Sequence, residues 1–516
     1  MNQLARLILY TTVFITGAAV LIMEIAAVRL LSPYFGSTLY VLSSVLTTIL
    51  LALAVGYYVG GKLSDRFPYH TPLYWIITIS GLILLVLTLT ATVLLPFIGP
   101  QLSLMYGPLF MAFGFFFIPA LLLGIDSPYV IKLLSINIAD GVRGEVVGAT
   151  FFWSTAGSIT GSLLAGFYFI PQLGLQTTLL LVSWTLILVG LLGNSAINYL
   201  QTATLPKNKT VGTGVFLFFC LFISYIITDL TNSTDTLYEA EGYYSNIKVY
   251  ENTYFGQPVR RLQRDVNHSS AVYLDSTDLV FPYAQFSLLY QQLIPNPQSF
   301  LLLGGGAYTI ATAVHELNPD MKIDVVEIES SLHPLAIEYF HLPETKQITN
   351  HVSDARAYLL RQDTLYDVIF FDAFGSGYYI PTHLATEEFL HIIREHLSED
   401  GVLITNFIGR PYPHDKQTLT GSYVKTLQSV FPNTLGYAMF PNHLSSTQNL
   451  IFISRKEGKE IDFATDTTIR LENTIATPLE YFELPLHNLV ADADKIFTDN
   501  HAPTDLLLIR ERIFNR

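Results

Sequence analysis

Between Arg66 and Asp126 the chain carries no Asp, Glu, Lys or Arg. A helix of a soluble protein needs one polar face, and segments such as LYWIITISGLILLVLTLTATVLL and LFMAFGFFFIPALLLG lack one. Such stretches suit a lipid surrounding, where each helix satisfies its own backbone groups. Apolar runs long enough to cross a bilayer recur at 9–31, 40–61, 73–96, 105–134, 146–168, 173–193 and 211–230. They predict an integral membrane helical domain over residues 1–231, with about seven spans and the lipid bilayer as its partner. The first run has no clean small-residue cleavage site and six similar runs follow it, so it reads as a span and not as a signal peptide.

The rest of the chain lives in a different solvent. Through residue 230 there are six acids and eight Lys/Arg; of the totals of 42 and 28, that leaves 36 acids and 20 bases for the remainder. This acidic balance argues against a nucleic-acid surface. The single Cys, Cys220, lies inside the last apolar run, and the thirteen His are scattered, so neither a disulfide nor a metal site is expected. Lys62 and Arg66, Lys132 and Arg143, and Lys207 and Lys209 fall in alternate loops, and Arg6 agrees with them. The excess of basic residues in cytoplasmic loops then puts these loops inside, and an odd number of spans exports the soluble half. One span more or fewer reverses this, so the expectation is a multi-pass cell-membrane protein with the side of its soluble half left open.

Three ionisable residues fall within or near the apolar runs. Glu24 and Arg29 sit five apart in the first, and Asp126 lies between Gly124 and Pro128 in LLLGIDSPYV, where a helix would be interrupted. Ionisable groups at such depth are functional candidates, or else structural pairs. GYYVGG (56–61) and GSITGSLLAG (157–166) place small residues at helix-packing spacing.

Residues 241–283 alternate in short runs, YYSNIKVYEN, VRRLQRDV and SSAVYLDS, and predict a small β subdomain. From 284 to 460 strands alternate with helices: SFLLLGGG (299–306), KIDVVEIE (322–329), ITNHVSDA, DVIFFDAF and GVLITNF are strands, with helices near 308–317, 331–340, 386–397 and 416–429. YAMFPN (437–442) and NLIFISR (449–455) suit a closing antiparallel pair, and 461–516 an extension packed on this domain. Alternation of this kind means an open, mostly parallel sheet, with ligands bound beyond the carboxyl ends of its strands. The polar residues collect there. Gly304, Gly305 and Gly306 allow a tight turn and close backbone approach to a ligand. Glu327, about 21 residues on, is placed to accept from ribose hydroxyls, and Asp354 from an adenine amino group. The absence of a P-loop lysine argues against triphosphate binding. Asp372 arrives on the apolar strand VIFF; a carboxylate there can deprotonate an incoming amine or merely neutralise a cation.

LLLGGGAYTIATAVHE, VVEIE, SDARAYL and YDVIFFDAFGSGYYIPTHLATEEF together resemble the spermidine synthase family of polyamine aminopropyltransferases. MEIAAVRLLSPYFGSTLYVLSSV (23–45), GYYVGGKLSDR (56–66) and FTDNHAP (497–503) resemble its membrane-fused branch. The implied fold is a multi-span helical membrane domain plus an α/β Rossmann-like domain, class I methyltransferase-like, with a small N-terminal β subdomain. The implied activity is transfer of an aminopropyl group from decarboxylated S-adenosylmethionine to a small cationic amine, with no prosthetic group; a homodimer is left open. By the same resemblance Gly304 to Gly306 lie along the nucleoside, Glu327 holds the ribose, Asp354 and Ala355 bracket the adenine, and Asp372 is the base. Tyr283, with Tyr244 and Ser376, lines the amine channel. The chain departs from the family pattern at Ala307, where the acid for the donor's ammonium is expected, and at Gly375, Ala284 and Ser245. Because Ala307 would not repel a carboxylate, methyl transfer from intact S-adenosylmethionine is a second expectation. A non-catalytic polyamine- or nucleoside-binding transporter or sensor is a third.

Overall fold

The computed structural model describes residues 3–136, 143–202, 236–375, 380–411, 417–456, 460–471 and 475–513. The chain divides into two compact units, Met1–Thr234 and Asp235–Arg516.

The first unit is helical: α1 (Gln3–Phe35), α2 (Leu39–Arg66), α3 (His70–Ile98), α4 (Gly107–Gly124), α5 (Asp126–Ser135), α6 (Arg143–Leu164) and a further helix over Leu175–Thr202. Among the described residues five helices are long and apolar enough to cross a membrane: Gln3–Phe35, Leu39–Arg66, His70–Ile98, Gly107–Ser135 and Leu175–Leu200. The 146–168 run forms α6 and a π-helical segment, Ala165–Phe169, and is not one of the five. Its Ser, Thr and Gly residues lower its mean hydropathy, and Gly157 and Gly161 pack on α1. The 211–230 run, with Cys220, lies outside the described residues. The interruption expected at Asp126 is present. Pro128 has no N–H to offer the Gly124 carbonyl, and the Ile125 N–H turns to Leu122, so α4 ends at Gly124 and α5 begins at Asp126. Glu24 and Arg29 are half-buried on α1, whereas Asp126 is fully buried.

The second unit opens with an antiparallel sheet of β1 (Thr236–Glu241), β2 (Asn246–Tyr254), β3 (Gln257–Arg264) and β4 (Asn267–Tyr273) in that order. It begins earlier than the hydropathy alternation indicates. A seven-stranded mixed sheet follows, built from β5 (Ser299–Leu303), β6 (Lys322–Glu327), β7 (Ile348–Val352), β8 (Tyr366–Phe371), β9 (Leu397–Gly409), β10 (Thr434–Ala438) and β11 (Gln448–Arg455). Their order is β10-β11-β9-β8-β5-β6-β7. The pairs from β7 through β9 are parallel, and β11 runs antiparallel to both β9 and β10. This is a Rossmann-like domain. Its central strands read as unbroken apolar runs because both faces are covered: Phe300 and Leu302 enter one core cluster and Leu301 and Leu303 another.

The connectivity decides where chemistry is possible. From β5 the chain moves to β6 and β7 on one side, then returns to place β8 on the other. At that reversal the loops after β5 and β8 diverge and leave a crevice beyond the strand ends.

Candidate active site

Along the carboxyl edge, β8, β5, β6 and β7 present, in order, Asp372, the Gly304–Gly306 turn, Glu327 and Asp354. Neighbouring strands lie about 4.8 Å apart, so this row spans roughly 14 Å, the length scale of a nucleoside with a short substituent.

The glycine turn is set by backbone requirements. Gly304 has φ +100° and Gly306 φ +53°, and a Cβ on Gly304 would collide with the Asp372 carbonyl oxygen. Gly304→Ala therefore combines a left-handed conformation with a backbone clash. The expected cost is about 2–4 kcal/mol, read as a lower melting temperature and loss of nucleoside binding; a variant indistinguishable from wild type in both would show the turn to be dispensable. Tyr308 follows at φ 60°, fully buried, and its hydroxyl donates to Asn350 Oδ1 at 2.6 Å.

Glu327 is 3 % exposed, and its carboxylate organises this turn. Oε2 accepts the N–H groups of Gly305 and Gly306, each at 3.0 Å, and Oε1 accepts Glu329 N–H at 3.0 Å. With two lone pairs per oxygen, one acceptor direction on Oε1 is left for a ligand. The Glu327 carbonyl accepts Ser353 N–H, which ties the end of β7 to the end of β6.

Asp354 caps the helix Ala355–Leu359. Its Oδ1 accepts Ala357 N–H at 2.9 Å and its Oδ2 pairs with His383 Nε2 at 2.8 Å. The His383 contact, with the capping bond behind it, holds this carboxyl below the usual range. Ala355, at the first turn of that helix, is buried.

Asp372 stands immediately after β8. Asn406, on β9, donates from Nδ2 to its Oδ1 at 2.7 Å, and Tyr283 is its second side-chain hydrogen-bond partner. Burial pushes the carboxyl up to about 7; the Asn406 bond opposes this, the Glu327 charge adds to it, and the Tyr283 bond opposes it. A carboxyl poised near neutrality is suited to exchange protons at physiological pH. Tyr283 is half-buried and its ring lies parallel to Phe281 at 6.1 Å.

Asp372, the glycine turn, Glu327 and Tyr283 thus converge, with Asp354 and Ala355 one strand further along. Tyr244 lies on the β1–β2 loop with its side chain exposed; its backbone N–H is held by Glu329 Oε2 at 2.9 Å. Ser376 lies outside the described residues. Of the positions that depart from the family pattern, Ala307 is buried with its N–H on Ser270 Oγ at 3.1 Å, Ala284 is buried, and Ser245 is buried with its hydroxyl accepting from Arg264 Nε at 3.2 Å. Gly375 lies three residues beyond Asp372 and is partly exposed.

Sequence reasoning passed over several residues of this edge. Asn406 is 2 % exposed, held in turn by Asn449 Nδ2 at 3.0 Å; its signal was a lone amide inside the apolar strand VLITNF. Glu329 fixes the Tyr244 loop. His383 and the pair Arg356–Asp499, bidentate at 2.7 and 2.6 Å, secure the Asp354 side, with Arg356 also donating to the His383 carbonyl at 3.1 Å. Asp499 belongs to FTDNHAP, so that motif clamps the helix following Asp354.

Residues 287–465 match the spermine/spermidine synthase domain. The chain carries a spermine/spermidine synthase domain. A polyamine aminopropyltransferase of Vibrio vulnificus is 27% identical over 303 residues, covering 57% of this chain and 98% of that protein. Polyamine aminopropyltransferase 2 of Aquifex aeolicus is 25% identical over 425 residues, covering 76% of this chain and 77% of that one. The latter alignment is longer than the second unit, so it extends into the helical unit as well. A crystal structure of a probable spermidine synthase from Corynebacterium glutamicum is similar at 20% identity and a TM-score of 0.41, covering 52% of this chain and 97% of that one. In this spermine/spermidine synthase domain the matched region begins just after Tyr283 and includes the glycine turn, Glu327, Asp354, Asp372 and Asn406.

Proposed function

We propose that the chain transfers the aminopropyl group of decarboxylated S-adenosylmethionine to a small cationic amine, with Asp372 as the base. The observation that carries this is the placement of Asp372 at the reversal of strand order, beside the glycine turn, with its carboxyl pushed up to about 7. The acceptor amine gives up a proton to the Asp372 carboxylate. Its nitrogen lone pair attacks the methylene carbon next to the donor sulfonium. The carbon–sulfur bond breaks, its electron pair stays on sulfur, and methylthioadenosine leaves as a neutral thioether. The sulfonium is already a good leaving group, so the protein supplies position and a base.

The donor's adenosine lies along the edge, its ribose toward the acceptor direction left on Glu327 Oε1 and its adenine toward Asp354 and Ala355, while Tyr283 and Tyr244 border the amine path. Asn406 sets the working pH of the base. Asn406→Leu removes a donor to the ionised carboxylate, a bond worth about 1.5–3 kcal/mol, so the acid limb of kcat/KM should move up by about one to two pH units with activity recovering at alkaline pH. An unmoved limb would remove Asn406 from this role.

The deciding experiment supplies purified full-length protein with decarboxylated or with intact S-adenosylmethionine, each with a set of di- and polyamines. Methylthioadenosine and an aminopropylated amine are expected from the decarboxylated donor. S-adenosylhomocysteine from the intact donor, with no methylthioadenosine, would replace this reading by methyl transfer. We further propose that the five apolar helices place the protein in the cell membrane as a multi-pass protein, to be checked by its resistance to extraction at alkaline pH.

A further inference from the structure

GYYVGG and GSITGSLLAG, which the transferase chemistry does not use, act together on one buried carboxylate in the helical unit. Gly56 of α2 packs on the backbone of Leu121 and Gly124, and Gly60 on Ile125 and Pro128, so α2 lies directly on the break between α4 and α5. Gly157 and Gly161 of α6 meet the backbone of Phe14 and Ala18, and Gly17 of α1 meets that of Ser154. A Cβ at any of these crossings would collide with backbone, so they fix the height and rotation of α1. As a result Thr16 of α1 reaches Asp126 and donates its hydroxyl to Oδ2. Among the described residues the other oxygen, Oδ1, has no hydrogen-bond partner, although Asp126 is only 1 % exposed. One turn earlier on α1, Thr12 Oγ1 lies 3.3 Å from the hydroxyl of Tyr74 of α3, which is fully buried.

A carboxylate in an apolar interior requires a counter-charge or several donors. Here it meets one hydroxyl, which neutralises nothing. Tyr74 is the titratable side chain that faces Asp126 from α3. On α1, Glu24 stands about 12 Å along the helix from Thr16. On α2, Asp65 pairs with Lys132 near the other end of α5 at 2.6 Å, and Glu145 of α6 is exposed. We propose that Asp126 is a cation-binding point inside the helical unit and that its cation is a proton. A proton needs no volume beyond the oxygen it joins, whereas an amine terminus or a metal ion needs space and further oxygens that these tight crossings do not provide. The proton resides on the carboxyl in the closed arrangement. The break at Ile125, where the helical hydrogen-bond ladder is interrupted, is the hinge through which it exchanges.

The proposal does not depend on the transferase reading and is tested on full-length protein in lipid nanodiscs by infrared spectroscopy. In protein carrying Asp372→Asn, which removes the other carboxyl that holds a proton near neutrality, a protonated-carboxyl carbonyl band is expected at neutral pH, shifting on transfer to deuterated water and lost when Asp126→Asn, the neutral isostere, is added. Should that variant fail to fold, Asp126→Glu, which keeps the carboxyl but moves it, should shift the band. No band in the Asp372→Asn protein, or a band that neither substitution at Asp126 alters, would overturn the assignment.

Discussion

Asp372→Asn is expected to lower kcat by about 10²–10⁴-fold, the range for loss of a positioned general base, while methylthioadenosine binding stays within a few-fold of wild type. The amide keeps the size of the carboxyl and can still accept from Asn406, so the edge should retain its shape while losing the proton acceptor. In the wild type the carboxyl, pushed up to about 7, must be ionised to act, so kcat/KM should fall below pH 7. The same shift has a stability consequence of opposite sign. The unfolded chain ionises this group near its ordinary value of 3.8, while the folded chain keeps the proton until about 7. Asp372 therefore becomes progressively more destabilising from about pH 4 to pH 7, and its effect is constant above that. Asp372→Asn should melt higher than wild type at pH 8 and nearly level with it at pH 4. The difference in stability at pH 8 is bounded at about 4 kcal/mol and is smaller in practice because the side chain is partly open to solvent. Full activity in this variant would end the proposed mechanism. Equal melting at pH 8 would contradict the burial of the carboxyl.

The second large effect is expected at Glu327. Glu327→Gln places an amide NH₂ against backbone N–H groups that now share a carboxylate: Gly305 and Gly306 on one oxygen, Glu329 on the other. Whichever way the amide turns, at least one buried N–H loses its acceptor and faces another donor. Charge-assisted bonds of this kind contribute about 1.5–3 kcal/mol each, and an orphaned partner adds to the loss. A fall in stability of about 2–4 kcal/mol is expected by denaturant unfolding, together with a loss of nucleoside affinity of about 10²–10³-fold by calorimetry, since the turn that approaches the ligand is no longer held. If affinity falls while stability is unchanged, Glu327 serves the ligand alone. If neither changes, the turn is organised by other groups.

The central strands β5, β6, β8 and β9 and the closing antiparallel pair were legible because each holds an apolar run bounded by Gly or by a polar end, whereas β7, ITNHV at the sheet edge, shows only two apolar residues. The interruption at Asp126 was legible from Gly124 and Pro128. The small residues of the 146–168 run were legible as packing residues, but not their partner: that Gly157 and Gly161 meet Phe14 and Ala18 of α1 follows from how the helices are arranged. Asn406 escaped notice because a single amide in a strand has no spacing to give it meaning. It gains a role only when β9 is set beside β8. Asp499 is more than a hundred residues from Arg356, and the bond between them follows from the path of the C-terminal segment.

Sequence alone determined what each segment is, since the periodicity of apolar side chains and the backbone demands of Gly and Pro act over a few residues. It also singled out Glu327, Asp354 and Asp372, because an acid at the end of an apolar strand is a local pattern. Tertiary structure alone decided what those acids touch. The order β8-β5-β6-β7 brought them into one row, turned Glu327 toward the glycine turn, gave Asp354 to His383 and placed Asn406 on Asp372. The strength of a charge depends on the donors and the solvent around it, and those come from strands and loops far away in the chain.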